Sequence, residues 1–70
     1  MIKWKCIEDF FMESGEKAFT LYKIYEEIHR DHHIIENDEW IDVFLIDDAG
    51  QRHGMDLVTD MSKYFILVED

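Results

Sequence analysis

The chain opens on a strict alternation of apolar and polar positions, Ile2-Lys3-Trp4-Lys5-Cys6, the period of a half-buried strand. Cys6 falls in phase with Ile2 and Trp4 and is expected on the buried face. Residues 8–17 follow, with Ser14-Gly15 as their break, and are expected to form a loop or a short helical turn that holds Phe10, Phe11 or Met12 against the core. Residues 18–31 carry two patterns at once. Ala18, Leu21, Tyr25 and Ile28, joined by Ile24, lie at helical spacing. Phe19, Leu21, Tyr22, Ile24, Tyr25 and Ile28 are equally good strand formers. Asn37-Asp38 marks a turn. Trp40-Ile41-Asp42-Val43-Phe44-Leu45-Ile46 is short, apolar and rich in β-branched and aromatic residues, as a central strand is. Asp47-Asp48-Ala49-Gly50 has the composition of a type I turn plus bulge, with Gly50 at the position that needs φ > 0. Residues 51–57 return as the paired strand, in which Gly54 marks a bulge or a close approach. Met61 and Lys63 flank a short connection, and Tyr64-Phe65-Ile66-Leu67-Val68 closes the pattern as a last strand.

Composition sharpens this picture. A length of 70 residues allows one domain, residues 1–70. A domain near that size buries only about 60% of the surface of its unfolded chain, so a deep active site would compete with the core for the same side chains. With 47% hydrophobic and 14% aromatic residues the chain is a folding sequence and not an acidic disordered tail. Seventeen acidic residues against seven basic ones give a net charge of −10. That balance excludes a direct nucleic-acid binder, which needs Lys and Arg on a face, and a basic helix lying on a membrane. No apolar run approaches the roughly 20 residues of a membrane span, and no apolar stretch follows the lysines of the first residues, so no signal peptide is expected. The lone Cys6 has no disulfide partner in its chain, which points to a reducing, cytoplasmic setting. No activating neighbour is evident for its thiol, so its role is expected to be structural.

The charge is also uneven. Between Arg30 and Arg52 lie Asp31, Glu36, Asp38, Glu39, Asp42, Asp47 and Asp48, with no Lys or Arg among them. On an extended strand the side chains of one face stand ~6.6 Å apart, twice the ~3.3 Å rise. DNA carries one charge per strand every ~3.4 Å, a comparable order of spacing. A rigid carboxylate surface can therefore stand in for a phosphate backbone and be steered to a basic cleft by its field. The competing reading is a merely solvated face, since a net charge of magnitude up to about 8 is ordinary for a small domain.

Other chemistry is weaker. His29, His32 and His33 cluster, and Glu26 precedes His29 by three positions. On a helix Glu26, His29 and His33 would share a face at metal-ligand spacing, with His53 or Asp31 as a fourth ligand. On a strand they alternate across faces, and no metal or other cofactor is expected. Aligning Gly50 with the glycine of a calcium loop puts Leu45 and Ala49 where oxygen ligands are required, so Asp47-Asp48 is turn chemistry. Ser14 and Ser62 lie in no nucleophile elbow and no phosphate loop exists, so no enzyme is expected. Trp40, Tyr22 and Tyr25 are candidates for an aromatic groove, and Trp40, among acidic neighbours, is expected to be partly exposed.

Lys5-Cys6-Ile7, Phe19-Thr20-Leu21-Tyr22-Lys23-Ile24-Tyr25, Phe44-Leu45-Ile46-Asp47-Asp48-Ala49-Gly50 and Tyr64-Phe65-Ile66-Leu67-Val68 follow one another in a telling order. It resembles that of small uncharacterised proteins of bacteriophages and Firmicutes, themselves similar to SH3-like β-barrels. Their pattern runs from a strand ending in Lys-Cys-Ile through Leu-Thr-x-Gly-Lys-x-Tyr-x-Val and Tyr-x-Ile-x-Asp-Asp-x-Gly to an aromatic Phe-x-x-Val end. The resemblance spans most of the chain. Two positions depart from it: Tyr22 stands where the pattern has Gly, and Glu27 where it has an apolar residue, which keeps a helix open over residues 19–28. The resemblance implies a barrel fold and a phage-like setting, and it carries over no catalytic residues.

The expectation is thus an all-β chain forming a small five-stranded SH3-like barrel, whose closure would remove exposed edges. The alternative is an α+β fold with residues 17–31 helical. The expected function is that of an acidic accessory protein, a DNA-mimic-like inhibitor. Asp38, Glu39, Asp42, Asp47 and Asp48 would supply charge, and Trp40 a hydrophobic anchor, for docking on a basic, nucleic-acid-binding host protein. The alternative is a non-enzymatic structural or assembly module, homo-oligomeric, whose charge only keeps it soluble.

Overall fold

Strand-forming residues and turn residues alternate along almost the whole chain, and the structure, a computed structural model describing residues 1–69, follows that alternation. Its strands are β1 (Lys3–Cys6), β2 (Phe10–Phe11), β3 (Lys17–Phe19), β4 (Ile24–Glu26), β5 (His29–Ile35), β6 (Asp38–Ile46), β7 (Arg52–Asp56) and β8 (Phe65–Val68). Between β7 and β8 lies a π-type turn, Leu57–Met61, that runs into a single helical turn, α1 (Ser62–Tyr64). The strands form three antiparallel sheets, ordered β4-β1-β8, β2-β3 and β5-β6-β7.

The chain is all-β in class, with eight short strands where five were expected. No closed barrel forms. β4 and β8 pair only with β1, and β5 and β7 only with β6, so the sheets meet through side chains and isolated backbone bonds. The helical alternative for residues 17–31 is overturned, since they supply β3, β4 and the start of β5. The apolar positions explain why. A helix would have buried Leu21, Ile24 and Ile28 together with Ala18 and Tyr25, whereas the structure buries Ala18, Phe19 and Tyr25 and leaves Leu21, Ile24 and Ile28 exposed. Residues 8–17, expected as a loop or helical turn, instead supply the short hairpin β2–β3, with Phe10 and Met12 packed against the core and Phe11 exposed.

The core centres on Phe19. Its ring meets Phe10, Tyr25, His53 and Phe65 edge-on, with centroids 4.8 to 5.9 Å apart. These partners come from four strands, β2, β4, β7 and β8, so one side chain ties all three sheets. Burying a Phe contributes roughly 1.5–3 kcal/mol, and each edge-to-face pair about 0.5–1.5 kcal/mol more. Trp4, Cys6, Val43, Leu45, Met55 and Met61 complete the core.

Three turns set the strand directions. Gly50, at φ 80, closes the β6–β7 hairpin, with its N–H bonded to Asp47 O at 3.0 Å, the geometry expected of a type I turn plus bulge. Glu36 and Asn37, at φ 50 and 70, form the two-residue turn between β5 and β6, one position before the expected Asn37-Asp38. The third is Thr20-Leu21-Tyr22-Lys23, closed by Lys23 N to Thr20 O at 3.1 Å, in which Tyr22 sits at φ 70. That left-handed conformation is open to glycine without steric penalty and costs other residues roughly 1–2 kcal/mol. It falls at the position where the resembled pattern carries glycine. The Lys5 ammonium, 5.5 Å from the Tyr22 ring centroid, offsets part of the cost. Stability is therefore expected to rank Tyr22→Gly at or above the wild type and Tyr22→Val about 1–2 kcal/mol below it, because a β-branched residue tolerates φ > 0 worst. Urea denaturation of the three proteins checks the order, and a Val variant as stable as the wild type would contradict it.

Candidate functional site

The period of β6 divides its residues between two faces. Ile41, Val43 and Leu45 point to the core, while Trp40, Asp42 and Phe44 lie half-buried on the outer face. Antiparallel register adds the neighbours. His33 stands opposite Trp40, Asp31 opposite Asp42, and His29 opposite Phe44 on β5, while Asp56 faces Asp42 and Gly54 faces Phe44 on β7. The outer face thus holds a row of three carboxylates, Asp31, Asp42 and Asp56, across three strands. An aromatic side chain of β6 lies on either side of it.

Like charges placed directly across a sheet repel, and each of these carboxylates has a compensating neighbour. His29 Nε2 lies 2.6 Å from Asp31 Oδ1. His33 Nε2 lies 3.0 Å from Asp42 Oδ2, within ion-pair distance but without hydrogen-bond geometry. Asp56 caps the π-type turn, its Oδ1 accepting from Val58 N at 2.9 Å and Thr59 N at 3.0 Å, and these backbone bonds hold its carboxyl below the usual range. The aromatic groups are fixed too. The His33 and Trp40 rings stack with centroids 5.0 Å apart. The Phe44 ring covers Gly54, where an added Cβ would come within 2.6 Å of Cε1, so the close approach expected there is the footprint of this ring. The Arg52 guanidinium lies over the Phe44 ring, 4.5 Å from its centroid.

Of the residues proposed from the sequence, Asp38, Trp40 and Asp42 are brought together here. Glu39 points to the opposite face and contacts His32 Nε2 at 2.7 Å. Asp47 turns inward, and Asp48 turns at the surface toward the Thr20–Tyr25 segment. Asp47 is 5% exposed; its Oδ1 accepts from Ala49 N at 3.0 Å and Gln51 N at 2.9 Å, which is the turn chemistry expected of it. Its Oδ2 lies 3.7 Å from His53 Nδ1, a charge contact too long for a hydrogen bond. Asp48 accepts from Thr20 Oγ1 at 2.6 Å, Tyr25 OH at 2.7 Å and Lys23 Nζ at 3.0 Å. Partial burial acts to raise its pKa, but the three hydrogen bonds outweigh that, and the carboxyl titrates below the ordinary range. Asp31, Asp56 and Phe44 were missed as site residues. Phe44 was legible in the alternation, since it is in phase with Trp40 and Asp42; Asp31 and Asp56 join only through the registers of β5 and β7 with β6.

The remaining candidates are also placed. Strand geometry sets His29 and His33 four positions apart along β5, and no group of three His, Cys, Asp or Glu converges on a metal site among the described residues. Tyr22 is exposed, while Tyr25 is buried in the core, so no groove joins them to Trp40. Cys6 is buried, donates to Glu8 O, and burial pushes its thiol pKa up, which leaves it less reactive than a free cysteine. Glu27, at the position expected to be apolar, is likewise committed inside the fold, accepting from Trp4 Nε1 at 3.0 Å and pairing with Arg30 Nη2 at 2.8 Å. No helix among the described residues is long and apolar enough to cross a membrane. Compared with family models, with curated proteins and with solved structures, the chain finds no match.

Removing the Asp48 carboxylate strands the Tyr25 hydroxyl and the Thr20 hydroxyl, so Asp48→Ala is expected to cost about 2 kcal/mol by chemical denaturation. Because the folded pKa is depressed, this contribution is present above the unfolded value near 3.9 and is lost as pH falls through the folded one. Wild type and Asp48→Ala should therefore converge in stability on acidification, and a gap unchanged in strong acid would contradict the assignment. Tyr25 behaves oppositely. Burial, and then the Asp48 carboxylate against a backbone bond from Thr20, push its pKa up to about 12. Its contribution is complete below the unfolded value near 10 and is lost as pH rises toward the folded one. Phenolate absorbance should show one of the three tyrosines ionising late, together with alkaline unfolding, and Tyr25→Phe should remove that late step.

Proposed function

We propose that the chain is a non-enzymatic binding protein that offers the outer face of β5-β6-β7 to a basic partner. The observation that carries this reading is the joint placement of Trp40 and Phe44 beside the Asp31–Asp42–Asp56 row. Buried aromatic anchors supply most of the free energy of protein interfaces. A carboxylate row steers and orients a positively charged partner. Neither does so well alone, because acids without an anchor bind weakly in salt and an anchor without charge lacks selectivity. The net charge of −10 extends the field beyond the face itself.

The resemblance carried by the sequence motifs supports the finer form of the proposal. The chain is then a phage-type accessory protein with SH3-like kinship, acting in the host cytoplasm, and its partner is a nucleic-acid-binding host protein that it blocks by occupying the phosphate site. Asp38, Trp40 and Asp42 keep the role expected of them, and Asp31, Asp56 and Phe44 join them. Glu39, Asp47 and Asp48 contribute through the overall field, since their side chains are engaged away from this face.

Affinity capture from bacterial lysate is expected to recover a basic protein at low salt and to lose it as salt rises. Trp40→Ala should weaken capture about thirtyfold and Asp42→Lys about tenfold or more, with circular dichroism unchanged. Recovery of no basic protein at low salt, or capture indifferent to both substitutions, would sink the proposal.

A further inference from the structure

β5 is the longest strand left with an open side: it pairs with β6 alone, and its other edge has no neighbour among the described residues. It carries neither Pro nor Lys, the residues that commonly blunt an edge. At its end Ile34 and Ile35 are 67% and 58% exposed. The direction of its backbone groups follows from the turn. Ile35 and Asp38 flank the two-residue turn at Glu36-Asn37 and form a hydrogen-bonded pair. Ladder pairs then alternate along the hairpin. His33 and Asp31 therefore bond inward to β6, and the N–H and C=O groups of Arg30, His32 and Ile34 point to the open edge.

We infer that this edge pairs antiparallel with β5 of a second copy of the chain, about a two-fold axis at His32. Registers in which both copies present outward-pointing groups are few, and side chains select among them. An axis at Asp31 or Arg30 sets Asp31 against Asp31, or Arg30 against Arg30, and an axis at His33 leaves Asp31 against Ile35. The axis at His32 engages all seven residues of β5. It sets Asp31 opposite His33 of the second copy, Arg30 opposite Ile34, His29 opposite Ile35, and His32 opposite its own counterpart, each His32 having Glu39 of its own chain at 2.7 Å. The outward backbone groups of Arg30, His32 and Ile34 then bond those of the same residues in the second copy. The row Asp56–Asp42–Asp31, which ends at this open edge, gains an imidazole at its end. The exposed isoleucines gain the arginine stem and an imidazole as cover.

This inference is independent of the binding partner proposed above, and its test needs no partner. His33 meets Asp42 from β6 at 3.0 Å, stacks on Trp40, and has Asp31 beside it on its own strand, with Asp56 of β7 beyond Asp42. In the dimer Asp31 of the second copy comes beside this ring, with His29 of that copy on the other side of the carboxylate at 2.6 Å.

Light scattering on the full chain, from micromolar to millimolar concentration, is expected to show a monomer–dimer equilibrium. His32→Pro removes an outward-pointing N–H, which an edge strand tolerates, together with the imidazole that meets Glu39, and should give a monomer with unchanged circular dichroism. Asp31→Lys, placing Lys opposite His33 of the second copy, should do the same without altering the backbone. His33→Lys keeps a cation opposite Asp31 of the second copy and should still dimerise. A wild type that stays monomeric at millimolar concentration overturns the inference. So does a dimer that survives Asp31→Lys.

Discussion

Asp48 is the point at which the three sheets are joined by polar bonds. It stands just past the end of β6, its backbone N–H donates to Ala18 O of β3 at 2.8 Å, and its carboxylate accepts from Tyr25 OH of β4. One residue therefore belongs to the ends of all three ladders. Tyr25 OH in turn accepts from Thr20 N at 2.9 Å, which fixes the turn leading into β4, and Tyr25 packs its ring on Phe19, the centre of the core. The sheets share no ladder, so their relative placement rests on this carboxylate and on the aromatic cluster beneath it. A buried hydroxyl can be brought to the core only if a partner comes with it, and Asp48 is that partner.

The acids of the central tract consequently divide into two groups with different physical roles. Asp47 and Asp48 spend their charge on N–H and O–H donors of their own chain, Asp47 buried and Asp48 at the surface. Asp38 and Asp42, with Asp31 and Asp56, keep theirs on the outer face. The division arises because β6 ends at Ile46: before that residue the period of two sends alternate acids outward, and after it the turn folds the Asp47 carboxylate over its own backbone and turns Asp48 toward Thr20, Lys23 and Tyr25. The outer row of like charges is tolerated only with imidazoles and a backbone cap against it. Its open end lies at the edge of β5, so the face and the edge are parts of one electrostatic arrangement.

Absence of closure has the same origin. A closed barrel would need ladders between β4-β1-β8 and β5-β6-β7, but the chain passes from the first sheet to the second across Glu27-Ile28 with isolated backbone bonds: Glu27 N bonds Ile2 O and Ile28 N bonds Phe44 O, each at 2.9 Å. Short strands with isolated cross-links result, and β5 keeps a free side.

Much of this is legible in the amino-acid sequence. The alternation in residues 2–6, the strand centred on Val43, the Asp47–Gly50 turn, the returning strand and the closing aromatic strand are local patterns, and local patterns survive folding because the period of a strand decides which side chains share a face. Residues 18–31 are not legible in this way, because the same apolar positions suit a helix and a strand, and only burial of Phe19 and Tyr25 against partners distant in sequence separates the two. The fate of each acid is hidden for a similar reason. By itself the sequence determined the class of the fold, the position of its most acidic tract and the face shared by Trp40 and Asp42. Tertiary structure alone decided that Asp47 and Asp48 are engaged by donors of the fold, that Asp31 and Asp56 extend the outer row, and that the ladders stop short of closing. A carboxylate costs nothing to leave in water and must be matched donor by donor to be taken out of it, and those donors are brought to it only by the fold.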